Sequence, residues 1–405
     1  MNINLARKID FWAGIPICFI FSILNRIGKI IFPRRKKRHF PKNIVFIELS
    51  EMGSAILSYS AIMKTKEMFP RVRIYFWIFK RNIDGVRALG VIEERDILTI
   101  RDNNLFVLIK DTIGCLTRLW REAVDITIDM ELFSRFSAIL AYLSGARTKA
   151  GFHQFFQEGL YRGDLHDLKV YYNARLHISV NFISLVECLT DQKSVRPLLK
   201  KDLRGLKPIL PEIKLDANAM GRMRRSLAKA KGGLQEGKKL VVLNPLKGKL
   251  LPIRAWPIDR YVSLAKRLLE DSNVFIVTIG LKPEREEISA LSGITTHERY
   301  LDLTGKTTFA ELLNLFFISD LFITHDSGPV HFAALANINM IVLFGPETPV
   351  CYAPLSKKAK VFYADFACSP CLSAFNHRRS PCNHNQCLLA ISVDSVYEAA
   401  REFLG

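Results

Sequence analysis

Residues 322–334 read FITHDSGPVHFAA. An apolar run ends in Asp326, Ser327 and Gly328, and Pro329 then opens an apolar helical pattern that carries His331 in its first turn. An acid, a hydroxyl, a glycine and an imidazole at a strand-to-helix junction suit the binding of phosphate. A helix start offers unpaired N–H groups and a partial positive charge. Gly328 lets a ligand approach the backbone, and Pro329 sacrifices nothing at the first helical position, where its missing N–H has no intrahelical partner. Asp326 is the odd member, because a carboxylate repels phosphate. It is expected to cap the helix or to orient a neighbouring donor. The plain alternative is that Asp326 and Ser327 only cap the helix and shape a tight turn. TGKTT (304–308) invites comparison with a phosphate-binding P-loop, but that motif needs glycine at position 300, where Tyr300 stands. Four cysteines form another group, Cys368-x2-Cys371-x10-Cys382-x4-Cys387, with His377 and His384 nearby. Such a set could hold zinc or an iron–sulfur cluster, or act only as a structural clip of thiols. Cys18, Cys115, Cys188 and Cys351 are scattered and read as small buried hydrophobes.

These residues must be held by an alternation of strands and helices. NIVFIEL (43–49), RVRIYFWIF (71–79) and DITIDM (125–130) read as buried strands, with helical patterns after the first and over 131–145. The alternation restarts after KGGLQEGKK (231–239), which reads as a linker, in LVVLNP, NVFIVTIG, DLFIT and MIVLFG. Strands alternating with helices at this spacing predict α/β architecture with parallel sheets covered on both faces. Two such runs predict two facing Rossmann-like domains with a cleft between them, spanning 43–230 and 231–405. Asp326 to Gly328 then fall at the carboxyl end of a strand, where open α/β sheets bind ligands.

The charge is lopsided: 58 Lys and Arg against 39 Asp and Glu, formally +19. Residues 1–43 hold ten of the basic residues and a single acid, Asp10. There FWAGIPICFIFSIL (11–24) runs into NRIGKIIF and the basic cluster RRKKR (34–38). Ile20, Ile23, Leu24, Ile27, Ile30 and Ile31 follow helical spacing, with Ser22, Asn25, Arg26 and Lys29 opposite. This pattern predicts that segment 1–42 carries an amphipathic helix associated with the membrane, its cations reaching anionic headgroups. A packed helix of a soluble domain and a membrane span or signal sequence are the alternatives. Charge concentrated beside an apolar helix, with no nucleic-acid recognition signature, argues against nucleic acid as partner.

Residues 302–349, DLTGKTTFAELLNLFFISDLFITHDSGPVHFAALANINMIVLFGPETP, resemble the donor-binding half of glycosyltransferase family 9, the ADP-heptose:lipopolysaccharide heptosyltransferases and their relatives. The shared pattern is a TGKT-like strand end, then D-[ST]-G-x-x-H opening a helix, then an FGPT-like turn. The resemblance extends to NPLKGKLLPIRAWPIDRY (244–261) and IELSEMGSAILSYSAI (47–62), and so over most of 43–405. It implies GT-B architecture, with acceptor bound mainly by the first domain and nucleotide-sugar by the second. It further implies that Asp326, Ser327, Gly328 and His331 form the diphosphate site. Arg254 matches a basic residue that contacts the donor phosphates; Thr304 and Lys306, at a strand end, either line the donor cleft or are purely structural. A fixed cation at Arg254 would neutralise charge on the leaving diphosphate, with no metal needed for catalysis.

The chain departs from that pattern at one place. The family commonly has Gly-Asp after the first strand, the Asp being the candidate general base, and here Ser54 follows Gly53. Glu51 is the carboxylate left in that loop and is the candidate base. Related cysteine clusters occur in many family members without a catalytic part. Disulfides are not expected in a cytoplasmic nucleotide-sugar enzyme.

The function expected is inverting transfer of a sugar, heptose from ADP-heptose, onto a lipid-anchored glycan at the cytoplasmic face of the inner membrane, in lipopolysaccharide or related surface-glycan synthesis. The rival readings are a catalytically inactive membrane-associated relative and a basic nucleic-acid-binding protein.

Overall fold

The computed structural model describes residues 3–31, 40–132, 134–155, 159–191, 197–203, 205–214, 216–230, 232–248 and 251–405. The basic cluster 34–38 lies outside the described residues. The chain divides into two units, Met1–Pro211 with Ala374–Arg378, and Glu212–Ser373 with Arg379–Gly405. The boundary therefore falls before the Gly- and Lys-rich stretch expected to be the linker. Helix Ala217–Lys229, capped by Asp216, packs within the second unit, which is why the division comes earlier than composition suggested.

The first unit holds six parallel strands, β1 (Asn43–Ile47), β2 (Arg73–Phe79), β3 (Ile97–Ile100), β4 (Ile126–Asp129), β5 (Thr148–Phe152) and β6 (Leu168–Val170), in the order β3-β2-β1-β4-β5-β6. Ile44 to Ile47 and Tyr75 to Ile78 are fully buried, as parallel strands covered on both faces must be. The helices used below are α1 (Ile3–Trp12), α2 (Gly14–Ile31), α3 (Met52–Leu57), α4 (Leu105–Arg121) and α5 (Arg135–Leu143). Helix α4 is capped by Asn104 and seats Leu116 and Leu119 against Leu140 and Ala141 of α5 and the sheet.

Helix α2 lies along α5 with its apolar face outward, as expected of a membrane-associated helix, but its polar face meets protein instead of reaching toward headgroups. Its small and polar residues Gly14, Cys18, Ser22 and Asn25 face the protein and are buried. The Ser22 hydroxyl accepts the Asp164 N–H at 2.6 Å, and the Asn25 amide donates to the Asp164 carbonyl at 2.7 Å. Arg26 pairs with Asp164 and Lys29 with Asp167, so neither lies on a free cationic face. Gly163 permits the approach: its φ is +66°, and a Cβ there would fall 2.4 Å from the Ser22 hydroxyl. Asp10, the single acid of residues 1–43, is engaged at the start of α5, where its carboxylate accepts the N–H groups of Arg135 and Phe136 and pairs with the Arg135 guanidinium. A carboxylate there complements the helix dipole. The apolar residues Phe19, Ile20, Ile23, Leu24, Ile27 and Ile30 are left exposed. Residues Arg7–Ile31 are long and apolar enough to cross a membrane, with a mean hydropathy of 1.6.

The second unit repeats the plan with β7 (Lys239–Asn244), β8 (Val274–Thr278), β9 (Tyr300–Asp302), β10 (Leu321–His325), β11 (Asn339–Phe344) and β12 (Ala359–Tyr363), ordered β12-β11-β10-β7-β8-β9. Both sheets thus have the doubly wound order, reversing between β1 and β4 in one and between β7 and β10 in the other. Helices α6 (Ile258–Glu270), α7 (Pro329–Leu335) and α8 (Val393–Leu404) flank this sheet. Leu264, Leu268, Val396 and Ala400 seal its core with Trp256 and Tyr261.

Candidate active site

Strand β7 ends at Asn244 and its neighbour β10 at His325, so the two strand ends at the order reversal lie side by side. A crevice outside such a reversal is the usual ligand site of open α/β sheets. The Asn244 amide donates to the Ser327 hydroxyl at 3.0 Å and to the Thr324 hydroxyl at 3.2 Å, and those two hydroxyls are 2.9 Å apart. Ser327 is thereby tied to the strand ends. The N-cap of α7 is Gly328, with no side-chain capping bond, so neither Asp326 nor Ser327 caps the helix. The capping alternative fails.

Asp326 takes the other expected role. Buried at 6% exposure, it accepts from Arg254 Nη1 at 3.1 Å. Arg254 closes a single turn, Pro252–Arg254, that is fixed from behind. The Asn385 amide donates to the Ile253 carbonyl at 2.7 Å, and the buried Trp256 indole donates to the Ile391 carbonyl at 3.1 Å. The result is a guanidinium held in one orientation beside the start of α7. Helix α7 has only seven residues, so the fixed positive charge at this place comes from Arg254 more than from a long helix dipole.

Gly328 has ordinary helical angles, and a Cβ on it would meet nothing within 4 Å. Neither backbone nor packing demands glycine there; the open space beside it is what an approaching ligand needs. His331 is buried in the same first turn. His325, one strand residue before Asp326, is held down to about 3 by burial and then by the Arg254 charge, and its Nδ1 lies 3.2 Å from the Tyr261 hydroxyl. It is a neutral packing residue.

Thr304 is fully buried; its N–H donates to Asp302 at 2.9 Å, and its hydroxyl has no partner among the described residues. Position 305 favours glycine twice over: its φ is +66°, and a Cβ there would stand 2.7 Å from the Lys282 Cα. Lys306 is exposed and turns back to Asp302, donating to its carbonyl at 2.5 Å and its carboxylate at 3.3 Å. Thr304 shapes this strand end from within, and Lys306 is engaged locally.

In the first unit the corresponding reversal lies between β1 and β4, and Glu51 sits in the loop between β1 and α3. Glu51 Oε2 accepts from the Ser54 hydroxyl at 3.1 Å, and Oε1 from Arg378 at 2.5 Å. The glutamate carboxylate therefore reaches the side chain at position 54, where the family resemblance leads to the expectation of aspartate. Glu131, just beyond β4, clamps the same loop by accepting the N–H groups of Leu49 at 2.9 Å and Ser50 at 2.8 Å. Burial pushes Glu131 up to about 7, opposed by its Ser50 hydrogen bond. Glu48 is pushed well above the carboxylate range, by burial first and by the Glu131 and Glu51 charges next.

Cys368 and Cys382 are exposed, Cys371 half-buried and Cys387 buried, all as free thiols. Cys371 accepts from the Ser380 hydroxyl at 3.1 Å, and Cys382 from the Asn385 N–H at 3.4 Å. Among the described residues no three His, Cys, Asp or Glu side chains converge as metal ligands. The cysteine segment does position the site, because its Asn385 pins the Arg254 turn.

Three contributors escaped the sequence reading: Asn244, Glu131 and Arg378. An asparagine ending an otherwise apolar strand in LVVLNP was the signal for the first. Arg378 carried none, because its partner Glu51 is 327 residues away.

A family model described as glycosyltransferase family 9 (heptosyltransferase) matches residues 115–379, about two thirds of the chain. The chain belongs to glycosyltransferase family 9. Among curated family 9 relatives, lipooligosaccharide heptosyltransferase 2 of Campylobacter jejuni is 28% identical over 174 residues, covering 42% of this chain and 53% of the relative. Lipopolysaccharide heptosyltransferase 2 of Escherichia coli K12 is 30% identical over 112 residues, 27% of this chain and 32% of the relative. The matches thus span about half the length of these relatives or less. The solved structure of E. coli ADP-heptose lipopolysaccharide heptosyltransferase II superposes with a TM-score of 0.67 at 18% identity, covering 89% of this chain and 98% of that one. A family 9 glycosyltransferase from Veillonella parvula gives 0.65 at 19% identity, covering 90% and 97%. These likenesses establish the GT-B-like fold.

Proposed function

We propose that the protein is an inverting glycosyltransferase that moves heptose from ADP-heptose onto a lipid-anchored glycan acceptor in lipopolysaccharide or related surface-glycan synthesis. The observation that carries this reading is the Arg254–Asp326 pair, set beside open space at Gly328 where the strand order reverses. A donor diphosphate bound there would meet a cation already oriented by a buried carboxylate. As the glycosidic bond to the diphosphate breaks, Arg254 would stabilise the charge left on the nucleoside diphosphate, the task a divalent metal performs elsewhere. His331 would add a hydrogen bond to the same phosphates.

Glu51 is the proposed general base, taking the proton of the acceptor hydroxyl as that oxygen attacks the anomeric carbon. The Ser54 hydroxyl and Arg378 hold its two carboxylate oxygens in position. A hollow in the first unit lined by His153, Tyr171, Tyr172 and Phe375 offers aromatic faces suited to an acceptor sugar.

The relatives' names, which specify lipooligosaccharide and lipopolysaccharide heptosyltransferases, support heptose and a surface-glycan acceptor, and the solved E. coli structure is that of an ADP-heptose heptosyltransferase. The exposed apolar face of α2 supports action at a membrane surface, here the cytoplasmic face of the inner membrane. The bonds from Ser22, Asn25, Arg26 and Lys29 to residues 164–167 favour a helix lying on the membrane, since a spanning helix would have to release them.

Calorimetric titration with ADP-heptose in the absence of divalent cations tests the donor assignment. Binding that is weakened in Arg254→Ala supports it. Failure of the wild-type protein to bind any nucleoside diphosphate sugar would overturn it and leave the inactive-relative reading.

A further inference from the structure

Helix α4 carries a second outward apolar stripe. Leu105, Phe106, Ile109, Ile113 and Trp120 are all exposed, Phe106 at 77% and Trp120 at 54%. Their spacing places them in one band, next to the band of Leu116 and Leu119 that covers the sheet. Half of this helix's apolar face thus has no covering among the described residues, which is unusual for a core-flanking helix. Lys110 and Arg121 border the stripe, are exposed, and form no ion pair among the described residues.

This stripe meets the exposed face of α2 at one place, the carboxyl end of α5. The Trp120 indole donates to the Leu143 carbonyl at 2.8 Å and lies against Gly145. Leu143 and Gly145 also line a groove of about 420 Å³ whose other wall is Leu24 and Gly28 of α2. The acids on this side are already neutralised: Asp10 by Arg135, Asp111 by Arg101, Asp164 by Arg26 and Lys169, and Asp167 by Lys29 and Lys149. Lys8, Lys110 and Arg121 remain exposed beside the apolar bands.

We propose that the outward stripe of α4 and the outward face of α1–α2 form one bilayer-docking surface, seating the first unit on the interface of an anionic membrane through two separate elements. The inference rests on the membrane reading above and adds the second element. An apolar band edged by cations and bearing exposed aromatic residues, here Trp12, Phe106 and Trp120, matches a surface that enters the headgroup–acyl boundary. Anionic headgroups complement the surplus of bordering cations. A second copy of the chain on the same face would bring like charges together.

The test uses the full chain with vesicles of equimolar phosphatidylcholine and phosphatidylglycerol. The wild type should sediment with them. Ile109→Ser/Ile113→Ser should reduce partitioning by about 10–100-fold, from the lost burial of two isoleucine side chains, with unchanged circular dichroism. Ile23→Ser/Ile27→Ser should reduce it similarly. Brominated lipid should quench tryptophan fluorescence less in Trp120→Phe than in the wild type. If the wild type and the α4 variant sediment equally while the α2 variant does not, the second element is overturned and the membrane reading stands. If the wild type does not sediment at all, the membrane reading fails and this inference with it. If the wild type is a lipid-free dimer that the α4 substitutions dissociate, the stripe belongs to a second copy and the proposal is overturned.

Discussion

Replacing Glu51 by Gln separates two consequences of one substitution. The carboxylate holds Arg378, whose side chain is only 7% exposed, while Glu51 itself is 33% exposed. Removing one partner of a fully buried pair costs about 3–5 kcal/mol, and exposed pairs contribute roughly 0–1 kcal/mol. A pair with one partner buried and the other one-third open falls between, and Gln keeps an oxygen for Arg378 to reach. The expected loss of stability is therefore about 1–2 kcal/mol, read by urea denaturation. The chemical loss is far larger. A positioned general base is worth about 10²–10⁴-fold in rate, with donor affinity nearly unchanged because the substitution removes a proton acceptor used only in the chemical step. Single-turnover sugar transfer at saturating ADP-heptose reads that term alone. Ser54→Asp in the Glu51→Gln background restores a carboxylate to the same loop-to-helix junction, and part of the rate should return. A folded Glu51→Gln variant that turns over at the wild-type rate would refute the assignment, whatever its stability.

Arg254→Ala and His331→Ala should each weaken ADP-heptose binding by about 1.5–3 kcal/mol, as charge-assisted contacts do, and Asp326→Asn should weaken it less, because it only loosens the Arg254 orientation. Glu131, raised to about 7, binds its proton more tightly folded than unfolded, so its contribution is complete below about pH 4.5 and is lost as pH rises through 7. Glu131→Gln should then gain on the wild type by up to roughly 3 kcal/mol between those limits; comparing the two proteins across pH cancels the opposite trend from His153 and His166, and a difference independent of pH would contradict the burial argument. Cys368 and Cys382 should react quickly with a thiol reagent and Cys115 and Cys188 only after unfolding, since burial pushes those last two up to about 12; if Cys368 and Cys382 are instead protected until a chelator is added, the cluster holds a metal.

Most central strands were legible because burial on both faces writes them as continuous apolar runs, as in NIVFIEL and LVVLNP. The inner β5, whose TKAGF has no such run, and the edge strands were not. β6 and β9 have three residues each, and the partly exposed β12 carries Lys360, so none presents such a run. The residues at Asp326–His331 were found because they cluster in sequence at a strand end. What they do was only half legible: whether Asp326 caps or orients depends on Arg254, 72 residues away. For α2 the period and the outward apolar face were legible, but the partner of the polar face was not. Helical spacing tells which residues share a face but not which face meets protein, and here Ser22 and Asn25 have better partners in the chain around Asp164 than in water.

The docking of α2 by its polar face has a mechanical consequence. A peptide anchor on a flexible linker restrains where a catalytic unit is, but leaves it free to tumble. Four polar side chains of α2, Ser22, Asn25, Arg26 and Lys29, bind the stretch Asp164–Asp167, and Asp10 of α1 binds the start of α5. A membrane that takes up the opposite face would therefore grip the first unit as a mount rather than a tether. Rotation about the two axes in the membrane plane would be frozen before any acceptor arrives. The search for a lipid-linked substrate would then reduce to sliding and spinning in two dimensions, and the orientational entropy of each encounter would be lost once, when the protein lands, rather than at every turnover.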